Sequence, residues 1–357
     1  MTRSCLSAVL MATMMLLTHA SPARARTWHV NPDGTGDAPT IPAAAESSAY
    51  GDSILVDPGT YVCPEHAETG EHQWVSLPSG VSLISVAGAE ATVIIDSVTI
   101  EWGFSVIEMA YATDCLVRGF TIRRGRGIPG CHYIDGIDMY ETVGCTVDSC
   151  TIYGYIYGID IAGKAGYTES PVISNCFIDY CGMGIECGNL YPQGAPIIED
   201  NLINDCGRGI ECFSTGAIIR RNRIWGCYYA GIELQGRSPA TVIQNVMAGS
   251  EECGFFVACD AGYEPNLYSL EIPGCGNSLY NNRGRDIYFH PGDDECYLSA
   301  NYTYWGSDCP DFDRIIPSGE NIQYIPWSDS THSKIFWECP PQATEPTTWG
   351  AIKAMYR

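Results

Sequence analysis

The sequence predicts an all-β chain wound into a right-handed parallel β-helix, a solenoid capped at both ends. Three observations predict it. A segment of about 22–30 residues recurs at least six times with its apolar positions in register. A short strand, glycine-led in five of the six, precedes each recurrence. Glycine (38 residues) and tyrosine (22) are abundant while charge is scarce (17%), which excludes a disordered chain.

From the start of the chain, Arg3, the apolar run Leu6 to Leu17 and the sequence Ala23-Arg24-Ala25 predict a signal peptide over residues 1–25 with an A-x-A cleavage site. The apolar run is too short to span a bilayer, so no membrane span is expected, and the location is secreted or cell surface. The solenoid is expected over 26–338, with an opening module at 28–100, core coils at 101–276 and an exit cap at 277–330. Repeat folds grow along one axis, so a chain of 357 residues fits one elongated domain, here of about ten coils. A proline-rich linker follows at 339–346. The basic, aromatic tail at 347–357 reads as a sorting or anchoring signal, with a frayed terminus as the alternative.

Within the core, six segments superpose without gaps: 115–122, 145–152, 171–178, 196–203, 217–224 and 240–247. Their third residue is always aliphatic (Val117, Val147, Ile173, Ile198, Ile219, Val242), and so is their last or its methionine equivalent (Ile122, Ile152, Ile178, Ile203, Ile224, Met247). Before each lies a short strand, Val-Ile-Glu-Met at 106–109 and of the type Gly-Ile-acid-apolar in the other five, so a coil holds two or three strands. Period-2 alternation turns Ile137 and Met139, Ile159 and Ile161, Ile185 and Cys187, Ile210 and Cys212, and Ile232 and Leu234 inward. A further column, Phe120, Cys150, Cys176, Asn201, Asn222 and Asn245, predicts a stacked asparagine turn that satisfies local backbone.

Charge and cysteine bound the partners. The chain carries 42 acidic against 19 basic residues, a net charge of −23, and removing the leader takes away two arginines and no acid. Nucleic acid and anionic membranes are excluded as partners by such a surface. Eighteen cysteines in an exported chain suggest disulfides, yet equivalent cysteines on neighbouring coils (Cys181 and Cys206, Cys187 and Cys212) fit bridges and buried thiol stacks equally well.

The repeats resemble those of the pectate-lyase-like superfamily of right-handed parallel β-helices over roughly residues 27–330. The opening HVNPDGTGDAPTI, AYGDSILVDPGTYV and GVSLISVAG is similar to the first coil of that superfamily. The ending ANYTYWGSDCPD and IQYIPW resembles the closing segment of bacterial β-helix proteins. The resemblance implies that the sheet built by the glycine-led strands faces a polysaccharide cleft, where lyases hold calcium with carboxylates and hydrolases use a set of acids. A counterpart of the methylesterase catalytic stretch, Gly-Phe-Val-Asp-Phe-Ile-Phe, is missing, which argues against that activity. Fold resemblance by itself licenses no reaction.

The residue between each inward pair is Glu108, Asp138, Asp160, Glu186, Glu211 and Glu233, an acid in six successive coils. Stacked like charges repel and raise one another's pKa, so they require compensation. Asp138, Asp160, Glu186 and Glu211 at the centre are the candidate catalytic residues, since glycoside hydrolysis needs two carboxylates at a spacing that adjacent or alternate coils provide. Asp160 and Glu186 are also candidate calcium ligands. Glu108, Glu233, Tyr157, Tyr180, Tyr228 and Tyr229 are candidate glycan-binding residues, the rings offering stacking surfaces for sugar C–H faces. The alternatives are a solvent-facing acid copied by duplication and ordinary packing of the rings.

A lyase normally uses a basic residue, and after the leader only Lys164, Lys334 and Lys353 remain as lysines. The arginine sets Arg123, Arg124, Arg126 and Arg220, Arg221, Arg223 read as solvated faces. The partner expected is a polysaccharide or cell-surface glycan, the cofactor calcium or none, and the oligomeric state a monomer. A non-catalytic binding or surface-structural protein is the alternative to a lyase or hydrolase.

Overall fold

A computed structural model describes residues 24–63, 73–97, 104–125, 134–164, 170–188, 194–236, 240–258, 276–290 and 303–307, with shorter pieces at 190, 238, 267–269, 297–299, 322–323, 327–328 and 335–336. The leader up to residue 23, the linker and the tail lie outside the described residues. Three parallel sheets of nine strands each form the body, against the ten or so coils expected. One coil contributes one strand to each sheet, in the order I, II, III; Val172–Ser174, Phe177–Asp179 and Met183–Gly188 make such a turn.

Each expected eight-residue strand is two strands of three residues with a bend between them. The bend is a single residue in the left-handed region: Gly119, Ser149, Asn175, Asp200, Arg221 and Gln244 all have φ between 54° and 78°. One such residue redirects an extended chain in a way that alternation of side chains does not report. From Leu116 to Ala248 this corner between sheets I and II is always two residues long, whereas both corners beside sheet III vary in length.

The residue after the bend points inward and satisfies the bent backbone. Asn222 Nδ2 donates to Ile198 O at 2.9 Å and to Asn245 Oδ1 at 3.0 Å, while the Asn222 backbone N–H donates to the same oxygen at 2.9 Å. Asn201 bonds to Asn222 in the same way, and Asn245 to Asn277, which extends the column one coil beyond the sequence pattern. Asn222→Ala removes an acceptor used twice and a donor group used twice. It is expected to lower stability by about 1–3 kcal/mol for each buried group left unpaired, read as a fall in the denaturant midpoint.

The inward aliphatic columns are fully buried: Val117, Val147, Ile173, Ile198, Ile219 and Val242 on sheet I, and Ile122, Ile152, Ile178, Ile203, Ile224 and Met247 on sheet II. The described cysteines are buried, and Cys115, Cys145, Cys150, Cys176, Cys181, Cys187, Cys206, Cys212, Cys227 and Cys253 are thiols outside any disulfide. Cys187 and Cys212 are register partners. Burial pushes the Cys227 and Cys253 thiols up to about 12, so they stay protonated at neutral pH. At the start, Thr40 caps the helix Ile41–Ser47, whose Ile41, Ala44 and Ala45 pack on the first coil and cover the open end of the interior.

Sheet III owes its shape to a column of glycines. A Cβ on Gly136, Gly158, Gly184, Gly209 or Gly231 would lie 2.4–2.6 Å from the carbonyl oxygen of the corresponding glycine one coil on. No other residue fits this approach. Because both the glycine and the next residue are buried, the strand breaks its alternation there, and the residue before the glycine returns to the outer face.

Candidate functional site

The acids of sheet III form one row. Glu108, Asp138, Asp160, Glu186, Glu211 and Glu233 are successive register partners, so neighbouring Cα atoms sit at the inter-strand spacing of about 4.8 Å. The row then changes character: the next two coils place Phe256 and Tyr288 in it, with parallel rings 5.2 Å apart.

The acids are not splayed into water. All are half-buried except Glu233, which is 4% exposed. The glycine column explains the crowding, because it brings a second, half-buried column alongside: Asp135, Tyr157, Met183 and Arg208. Alternation sends Asp135 and Arg208 inward, so sequence reasoning missed both. The usable signal was the glycine between each of them and its apolar neighbour.

At the centre four carboxyls, Asp135, Asp138, Asp160 and Glu186, lie close enough to act on one another's charge. Burial, and then the charges of Asp138 and Glu186, push Asp135 up to about 7. Burial and Glu108 push Asp138 up to about 6. Burial raises Asp160 well above the usual carboxylate range, with Glu186, Asp135 and Asp138 adding to it. Burial raises Glu186, opposed by Arg208.

The far end is compensated. Arg208 Nε donates to Glu233 Oε2, lies 3.6 Å from Glu211 Oε2, and its guanidinium carbon lies 5.0 Å from the centre of the Tyr229 ring. Gln235 Nε2 donates to Glu233 and, at 3.3 Å, to Glu211 Oε1. Glu211 Oε2 is buried without a hydrogen bond, and burial pushes Glu211 up to about 7 against the pull of Arg208.

Of the candidate rings, Tyr157 flanks Asp135 in the second column, and Tyr229 meets Arg208. Tyr228 packs edge-on against Tyr229 at 4.7 Å. Tyr180 lies just past the sheet II strand Phe177–Asp179 and stacks on Tyr153, ring to ring, rather than on an acid. Arg118, Arg220 and Arg221 pair with Asp148, Glu199 and Asp200 on the exterior of sheet I, away from the row. Among the described residues no three Asp, Glu, His or Cys side chains converge to hold a metal ion.

A row of carboxyls with raised pKa values makes stability depend on pH. Their folded values lie above the unfolded ones, near 3.8 for Asp and 4.5 for Glu, so the folded state holds extra protons. That contribution is complete below about pH 4 and is lost as pH rises through about 7. Melting temperature is therefore expected to fall between pH 5 and pH 8, and an unchanged value would contradict the burial of the row.

Three wound sheets carrying one row of acids define a parallel β-solenoid with a polar file on one face. The family described as "Right handed beta helix region" matches residues 107–303, and the chain belongs to it. Solved structures similar to it include the A-module of mannuronan C-5 epimerase AlgE4 from Azotobacter vinelandii, at 14% identity, TM-score 0.53, covering 76% of this chain and 74% of that one. Pectate lyase Pel9A matches at 14% identity and TM-score 0.55, covering 86% and 80%. The Dettilon tailspike protein matches at 15% identity and TM-score 0.56, covering 79% and 53%. At these identities the likeness concerns the fold. No curated protein matches the chain in sequence. Among the described residues no helix is long and apolar enough to cross a membrane.

Proposed function

We propose that the chain is an exported glycoside hydrolase acting on a polysaccharide or cell-surface glycan through the acids of sheet III. The observation that carries this reading is the crowding of Asp135, Asp138, Asp160 and Glu186, which raises all four carboxyls, Asp135 to about 7 and Asp138 to about 6, and so favours proton sharing among them. Glycoside hydrolysis asks for a pair: an acid that protonates the leaving oxygen and a carboxylate that attacks carbon or activates water. Adjacent coils supply the spacing for retention of configuration, alternate coils that for inversion.

Asp160, whose neighbours Glu186, Asp135 and Asp138 all add to its rise, acts as the acid; Glu186, whose rise Arg208 opposes, acts as the carboxylate. Mannuronan and pectate, named for two of the similar structures, are polysaccharides, which supports a glycan as substrate. The acidic surface and scarcity of lysine favour a neutral one. The test is a panel of neutral and uronate polysaccharides assayed for reducing ends and for the ultraviolet absorbance of an unsaturated product. Reducing ends without that absorbance are expected; an unsaturated product would replace the hydrolase by a lyase. Calcium in the millimolar range is expected to leave both activity and melting temperature unchanged.

A further inference from the structure

The backbone nitrogen of Arg26 donates to Asp52 Oδ1 at 2.7 Å, and Asp52 is only 6% exposed. Its second oxygen accepts from Trp28 Nε1 at 3.1 Å and Ala49 N at 3.0 Å, so the carboxylate is held on three sides. These donors keep the Asp52 carboxyl below its usual range. The Arg26 guanidinium lies 3.4 Å over the Trp28 ring, and its charge adds to the lowering of Asp52. The peptide bond before that nitrogen, Ala25–Arg26, is the one that the Ala23-Arg24-Ala25 pattern marks for cleavage.

We propose that cleavage at Ala25–Arg26 creates a new α-ammonium group that ion-pairs with buried Asp52 and locks the first coil, so that removal of the leader completes the fold. The step is a hydrolysis by a membrane-bound leader peptidase that prefers small residues: water gives its hydroxyl to the Ala25 carbonyl carbon and a proton to the Arg26 nitrogen, the C–N bond breaks, and the new Ala25 carboxylic acid gives up the proton that turns the amine into an ammonium group. One amide N–H on a carboxylate becomes an ammonium group with three donors, a charge-assisted contact on a carboxylate that is itself only 6% exposed. Arg26 also accepts from Ser53 N at 2.9 Å and begins the first pairing of sheet I, Thr27 with Ser53. The contact therefore sits where the solenoid starts.

An ion pair with Asp52 raises the α-amine above its ordinary range of about 7.7–8.0. For a raised group the added stability is complete below the unfolded pKa and is lost as pH rises through the folded one. The other charged or titratable groups on the elements packed there are the Arg26 side chain, His29, Asp37, Glu46 and Tyr50, and all of them are common to the chains compared below.

The test has two parts. Secreted full-length protein is sequenced from its N-terminus; Arg26 is expected, and any other first residue overturns the proposal. Purified chains beginning at Arg26 and at Ala25 are then melted from pH 7 to pH 10. The Arg26 chain is expected to melt several degrees higher at pH 7, with the gap closing towards pH 10. Asp52→Asn is expected to remove the gap; if that variant does not fold, the Arg26 and Ala25 chains decide alone. A gap that is absent or independent of pH overturns the ion pair, and neither result bears on the hydrolase reading of sheet III.

Discussion

Asp160→Asn is expected to lower glycan turnover by roughly 10²–10⁴-fold, the usual loss when a general acid is removed. Asp160 stands at the middle of the row, between Asp138 and Glu186, and near Asp135. Burial, and then the like charges of Glu186, Asp135 and Asp138, raise its carboxyl well above the usual carboxylate range and so favour its protonated form. Asparagine copies the size and neutrality of that protonated form. The variant should therefore fold as well as the parent, with a melting temperature equal or higher, because a buried acid has been removed. Initial rates of reducing-end release, measured beside the melting curve, check both halves. Unchanged turnover in Asp160→Asn, Glu186→Gln and Asp138→Asn together would make the row a binding surface and end the hydrolase reading.

Gly209→Ala is expected to be among the most damaging single changes to stability, about 3 kcal/mol or more. Its added Cβ would meet Gly231 O at 2.4 Å, Ile224 Cγ2 at 2.5 Å and Cys227 Sγ at 3.2 Å. The first is backbone of the next coil and the second a buried core side chain, so neither can move without displacing the stack. Gly188→Ala on the same sheet is the control. Its Cβ would come no closer than 3.9 Å to Glu186 Oε1, and a change within about 0.5 kcal/mol is expected. Equal midpoints for the two variants in a denaturant titration would show that the coil spacing yields, contrary to the close approach of the glycine backbones.

The inward columns were legible in the sequence because identical burial repeats identical residues: Val147, Ile173, Ile198 and Ile219 report one interior position four times over. The row of acids was legible for the same reason. The bend at Ser149, Asn175, Asp200 and Arg221 was not, because residues as different as these adopt one backbone conformation, and only the column after it betrays the corner. Asp135 and Arg208 were hidden by the interrupted alternation. The crowding of the row was hidden with them, since half-burial of the acids comes from a neighbouring column that alternation places inside. The pairing of Arg208 with Glu233 joins different coils and different columns, which no one-dimensional pattern encodes.

The unequal corners bear on how such a chain changes over generations. The two-residue corner between sheets I and II and the buried columns are the heritable frame, and a whole coil can be gained or lost without disturbing them. Length varies instead at 64–72, 97–103 and 125–133 before sheet III and at 163–171 and 189–196 after it. Insertions are thus tolerated on the two borders of the acid row. Selection can retune what reaches Asp138, Asp160 and Glu186 while the winding itself is inherited unaltered.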